Sequence, residues 1–109
     1  MNDTGETLAR VFGHNGAIIL LDLEKRYHSH VDSYSRDGNR YCVIGLYTWH
    51  KELLPHLSRY QFVREVHTLI RLGAVRALER HRASTVYAPD IDAINALIQA
   101  HYEHAQTHI

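Results

Sequence analysis

The chain has 109 residues, 45% of them apolar and 22% charged, and no formal net charge when its ten histidines are neutral. That length fits one domain, and that balance excludes a disordered chain, which needs low hydrophobicity and high net charge. A single cysteine, Cys42, excludes an internal disulfide, and the longest apolar run, residues 17–21, is far short of the roughly 20 residues that cross a bilayer. With no signal-peptide pattern at its start, the chain is expected to be cytoplasmic, without a membrane partner.

Residues 6–12 can form one or two helical turns, with Leu8, Val11 and Phe12 apolar. Gly13-His14-Asn15-Gly16 breaks that pattern, and Asn15 is a candidate cap. Residues 17–31 read as a helix, because Ala17, Leu20, Leu21, Leu23, Tyr27 and Val31 recur at spacings that keep them on one face. Residues 32–39 are polar and end in the turn signal Asp37-Gly38-Asn39. Residues 40–44 are short and β-rich, and they read as a lone strand.

Thr48 is a candidate cap for a helix over 49–54, with Trp49, Leu53 and Leu54 facing inward, and Pro55 stops it. Ser58 with Gln61 three residues later spells a capping box opening a helix over 59–72. Its apolar set is Phe62, Val63, Val66, Leu69, Ile70 and Leu72, and Gly73 closes it. Residues 75–79 and 84–88 read as two strands around a polar tip at 80–83. Pro89 and Asp90 open a last helix over 91–106, with Ile91, Ile94, Leu97, Ile98 and Tyr102 on one side.

Charge is unevenly spread along this order. Residues 1–55 carry six Lys/Arg against seven Asp/Glu, a net of −1. Residues 56–82 carry six arginines against Glu65 and Glu79, a net of +4, and residues 83–109 carry three acids and no Lys or Arg. The basic block is all arginine, whose planar fork suits phosphate and guanine.

The segment Leu57-Ser58 … Phe62-Val63-Arg64-Glu65-Val66 … Leu69-Ile70-Arg71-Leu72-Gly73-Ala74-Val75 resembles the recognition-helix region of winged helix-turn-helix proteins. It is similar in particular to the replication-initiator-like and regulatory domains of phages and plasmids. The upstream stretches Ala17-Ile18-Ile19-Leu20-Leu21, Asn39-Arg40-Tyr41 and Trp49-His50-Lys51-Glu52-Leu53 look like that family's first helix, short strand and second helix. The resemblance covers about residues 15–88. Gln61 stands where a Thr is usual, Glu65 where a small residue is usual and Ile70 where a polar one is usual.

The resemblance implies a single domain, mainly α with a small β-hairpin wing. It implies sequence-specific binding of double-stranded DNA, as a regulator or replication accessory of a mobile element. Helix 59–72 would enter the major groove, leaving Arg59, Tyr60, Gln61, Arg64 and Thr68 outward. Arg59, Gln61 and Arg64 would read bases, and Ser58 at the helix N-terminus would hold a phosphate. The tip residues Arg80, His81 and Arg82 would ride the backbone or minor groove. The last helix would pack on the first ones or pair with a second copy, and a homodimer is the expectation. The alternative is a winged-helix interaction module or inhibitor of a host or phage protein, which zero net charge, Glu65, Ile70 and the acidic flanks favour.

Other chemistry finds little support. His101, His104 and His108 share a helical face that could take a metal ion, and His28 and His30 close a helix. No cysteine stands near them, so a polar helix face is the reading preferred, without metal or cofactor. Cys42 lies in an apolar run and reads as a buried, inert thiol. No phosphate loop, nucleophile elbow or carboxylate pair is present, so no enzymatic activity is expected. Trp49 reads as core and Tyr60 as exposed.

Overall fold

A computed structural model of the chain describes residues 4–30 and 32–107. It is a mixed α/β fold of four helices and a four-stranded antiparallel sheet. The order is α1 (Thr4–Ser29), β1 (Ser33–Arg36), β2 (Asn39–Cys42), α2 (Leu46–Leu53), α3 (Arg59–Arg71), β3 (Val75–Arg80), β4 (Ala83–Pro89) and α4 (Ile91–Thr107). The sheet runs β1-β2-β4-β3. No helix among the described residues is long and apolar enough to cross a membrane.

Helix α1 is two helical arms around Gly13, whose φ of 82° and ψ of 165° leave the helical region. A Cβ placed on Gly5 would lie 3.6 Å from the Leu21 side chain. In a straight helix those residues would be about 24 Å apart along the axis. The chain therefore reverses at Gly13, which tolerates the left-handed φ that this requires. The sequence break at residues 13–16 narrows to Gly13 alone, and Asn15 lies in the first turn of the second arm rather than capping it. That arm buries Ala17, Ile19, Leu20 and Leu23, a wider stripe than the periodicity indicated, while Leu21 stays exposed. Val31, expected to end this helix, lies outside the described residues.

The lone strand is a correction. Residues 33–36 pair with 39–42 in register, Ser33 with Cys42 and Tyr34 with Tyr41, so β2 has a hairpin partner in β1. Asp37 and Gly38 make the two-residue turn with φ of 52° and 81°. Two positive φ values match the twist of the flanking strands, and Asp-Gly is the dipeptide that supplies them. Arg40 lies under the end of α1, with its guanidinium 3.9 Å from the Tyr27 ring centre and donating to the Tyr27 carbonyl.

Helix α2 begins at Leu46 with Gly45 as its N-cap, so Thr48 is inside the helix and not its cap. Leu54-Pro55-His56-Leu57 then turns the chain, the Leu57 amide donating to the Leu54 carbonyl and Pro55 at the position its fixed φ suits. The capping box at α3 forms as read: the Gln61 amide donates to Ser58 Oγ at 3.0 Å and the Ser58 amide to Gln61 Oε1 at 2.8 Å. Gly73 follows α3 with a φ of 86°. Asp90 caps α4, accepting from the Ala93 amide.

The main core draws on every helix. Trp49 and Phe62 are fully buried with Ile19, Leu23, Val66 and Leu69, and Leu8 and Ile94 extend this core past the 15–88 segment. The α4 stripe thus packs on α1. The Trp49 indole donates to Asp22 Oδ2 at 2.7 Å, and Arg26 donates to the same oxygen at 2.6 Å and to Glu52 at 3.1 Å. Asp22→Ala leaves a buried indole N–H without its acceptor, so a loss of about 1–3 kcal/mol is expected in urea denaturation.

Burial pushes both the Cys42 thiol and the Tyr87 phenol above their ordinary values, in Cys42 against a smaller opposing pull from Arg40 and Arg26. Each is held neutral in the fold and ionises more readily when unfolded. Their stabilisation is therefore complete below the ordinary thiol value of 9.0 and is lost as pH climbs past it. A fall in melting temperature above that pH is expected, and it should be smaller in Cys42→Ala.

Candidate nucleic-acid interface

The outward face of α3 is set by the inward one. Phe62, Val66 and Leu69 are buried, and the opposite side carries Tyr60, Arg64, His67 and Arg71, spaced three and four apart and all exposed. Tyr60 is 72% exposed, unusual for an aromatic ring on a small domain. The Arg64 guanidinium lies 5.7 Å from its ring centre. Thr68 is half-buried; its hydroxyl donates to the Arg64 carbonyl and accepts from Arg71. Glu65 is half-buried and stands off this ridge, so no carboxylate interrupts it.

Arg59 is exposed as expected, on the side of α3 next to α2. It faces α2, with its guanidinium 5.0 Å from the Tyr47 ring centre, and Lys51 lies 4.9 Å from the same ring. The Tyr47 phenol is held below its ordinary value, first by its hydrogen bond to Lys51 and then by the charges of Lys51 and Arg59. These three form an exposed cationic and aromatic cluster at the α2–α3 junction that the sequence reading missed. Only the four-residue spacing of Tyr47 and Lys51 signalled it.

Gln61 is more constrained than expected. Its Oε1 is committed to the Ser58 amide, whereas paired recognition of adenine needs both that oxygen and the amide nitrogen. Ser58 Oγ likewise accepts within the box, leaving its hydroxyl proton for another acceptor.

The hairpin between β3 and β4 turns at His81 and Arg82, both exposed, with Arg82 at a φ of 57°. Arg80 is a correction to the tip. It pairs with Ala83 inside the sheet, donates to the Ser84 carbonyl at 2.8 Å and lies 4.8 Å from the Tyr34 ring centre on β1. The register shift beyond Leu78 places its extra residue in β4, so Arg80 keeps the alternation of Arg76 and Leu78 and shares their face of the sheet. Periodicity does not fix the last residue of a strand, so the sequence places Arg80 one step too far out.

Electrostatic pairing divides the arginines sharply. The ion pairs join Glu6 to Arg10, Asp22 and Glu52 to Arg26, and Asp37 to Arg36. Among the described residues, none of the six arginines from Arg59 onward has a carboxylate partner. Apart from the buried, unpartnered Nε of Arg76, their donors are spent on backbone, side-chain oxygens or rings, or stand toward solvent.

His101 and His104 are exposed on α4, His101 edge-on to Tyr102, and His108 lies outside the described residues. Among the described residues no three His, Cys, Asp or Glu side chains come together as metal ligands. A small groove between α1 and α4, lined by Leu8, Leu20, Ile94 and Ile98 with Glu24 at its edge, is remote in sequence from the arginine block.

Compared with models of protein families, with characterised proteins and with solved structures, the chain matches none.

The two halves of the capping box act as one device, so Ser58→Ala and Gln61→Ala should each lower stability, Ser58→Ala by about 1 kcal/mol. The double variant should cost clearly less than the sum of the two, which a denaturation cycle checks.

Proposed function

We propose that this chain is a winged helix-turn-helix domain that binds duplex DNA through α3 and the β3–β4 hairpin. The observation that carries the reading is the set of exposed cations on those two elements without carboxylate partners, in a chain whose other arginines are mostly ion-paired. Guanidinium groups not neutralised within the fold remain available to phosphates and base edges.

The topology supports this reading. Helices α2 and α3 are joined by five residues that include the turn at 54–57, and β3 and β4 follow directly, with β2 completing a three-stranded unit to which β1 adds an edge. A helix of about 10–12 Å diameter fits the major groove, whose width is about 12 Å. The ridge Tyr60, Arg64, His67, Arg71 is the side of α3 free to enter it. Arg64 is the base reader, with Tyr60 beside it. Arg59 and Lys51 around Tyr47, and the Ser58 hydroxyl, meet the backbone. His81 and Arg82 extend the footprint from the hairpin.

Arg82 supports a role for that tip. It holds a left-handed φ that glycine or asparagine adopts more cheaply, and the strain is retained at an exposed cation.

Helix α3 thus has one base-reading arginine and several positioning cations, which gives distinct mutational signatures. Arg64→Ala should weaken a selected duplex by about 1–3 kcal/mol and relax its sequence preference. Arg82→Ala should weaken all duplexes alike and reduce the salt slope by about one. For about six phosphate contacts, affinity should fall roughly a thousandfold between 50 and 200 mM salt. Selection from random duplexes followed by titration of the variants measures all three. The mass of the complex reads whether two copies sit on a palindromic site. Absence of duplex binding at low salt would replace this reading with the interaction module, for which exposed Leu72, at 46%, is the anchor at the C-terminal cap of α3.

A further inference from the structure

The sheet has a second face, turned away from the main core, on which Arg76 and Arg80 are half-buried where the arginines of α3 are exposed. Tyr34 and Tyr41 are paired across β1 and β2, and Val86 and Ala88 of β4 are buried beneath the side chains of this face. Arg76 and Arg80 of β3 reach over it. The Arg76 guanidinium lies 5.6 Å from the Tyr41 ring centre and donates to Asn39 at 3.3 Å. Arg80 stands 4.8 Å from the Tyr34 ring centre. By strand alternation Arg36 shares this face at the outer edge, two residues from Tyr34.

Two observations indicate an anionic ligand. Neither Arg76 nor Arg80 has a carboxylate partner among the described residues, and Arg36 has only a 3.9 Å approach from Asp37, itself almost wholly exposed. The Nε of Arg76 is buried without any hydrogen-bond partner. A guanidinium partly removed from water and left without a counter-charge is costly for a fold to keep.

The arrangement also indicates which polyanion. Guanidinium planes backed by tyrosine rings offer flat cationic platforms, on which unstacked bases lie while phosphates meet the remaining donors. A duplex hides its base faces, and an acidic peptide has none. We propose that this face of the sheet is a binding surface for single-stranded nucleic acid, separate from the duplex-reading ridge of α3. Arg80 over Tyr34 and Arg76 over Tyr41 are the two stacking positions. Arg36 extends the phosphate track along β1.

The test uses the whole chain and a labelled oligothymidine of about 15 nucleotides, with oligouridine as a second probe, followed by fluorescence anisotropy. The expected result is saturable binding to at least one of them, with log affinity falling against log salt at a slope of about −2 for three phosphates. Arg80→Gln and Tyr34→Leu should each weaken binding about tenfold. Arg36→Glu, on an exposed edge where the fold is not at risk, should weaken it comparably. Arg64→Ala should leave it unchanged.

Failure of both probes to bind at low salt overturns the proposal. So does full retention of affinity in Arg36→Glu and Arg80→Gln, loss in Arg64→Ala equal to that in the sheet variants, or competition by polyglutamate as effective as by unlabelled oligonucleotide. Duplex binding by the sheet variants is read in parallel, so failure of the α3 reading and failure of this one give different patterns.

Discussion

The indole of Trp49 is the contact on which the rest of the fold depends. Its ring meets Phe62 of α3 edge-on at 5.6 Å and Tyr87 of β4 at 5.9 Å, and its N–H is held by Asp22 of α1. Three elements, α1, α3 and β4, therefore converge on one fully buried side chain of α2. A large aromatic with a polar edge suits that position, because it fills volume in every direction and still satisfies its single donor. Asp22 accepts from both Trp49 and Arg26, so the same carboxylate fixes α1 against α2.

What faces outward on α3 is the consequence of that packing. With Phe62 held against Trp49, and Val66 and Leu69 following at helical spacing, the rotation of α3 about its axis is settled. Tyr60, Arg64, His67 and Arg71 are left to solvent by geometry rather than by their own interactions. The same core places Tyr87 inward on β4, so its neighbours Val86 and Ala88 point the other way. A period of two gives the sheet its second face, on which the side chains of Arg76 and Arg80 collect. One core thus separates the arginine block into two surfaces: a helical ridge where Arg64 and Arg71 are exposed, and a sheet face where Arg76 and Arg80 are half-buried.

The capping devices of α3 and α4, unlike those of α1 and α2, were readable because they are local. Ser58 with Gln61, Gly73 after α3 and Asp90 before α4 each act within a few residues of their own position. Trp49 as core and Tyr60 as exposed followed from helical phase alone. The hairpin of β1 and β2 was half legible: Asp37-Gly38 announced the turn, but Ser33-Tyr34-Ser35-Arg36 has too few apolar residues to declare a strand. Its strand character comes from pairing with β2. The ring partners of Arg80 and Arg59 are not legible for a similar reason, since the first meets Tyr34 across the sheet and the second meets Tyr47 on a neighbouring helix. Gln61 was assigned to bases and to the cap at once, and its oxygen serves the cap.

The sequence by itself determined the order of the elements apart from β1, the starts of α3 and α4, the buried residues Phe62, Val66 and Leu69 of α3 and the concentration of positive charge between residues 56 and 82. Those features arise from backbone stereochemistry and from the periodicity of apolar side chains, which act over one or two turns of chain. The tertiary structure decided the reversal of α1 at Gly13, the pairing of β1, and the partner of each arginine. These depend on which groups meet across the sheet or between helices. That choice belongs to contacts distant in sequence, where no local preference specifies the outcome.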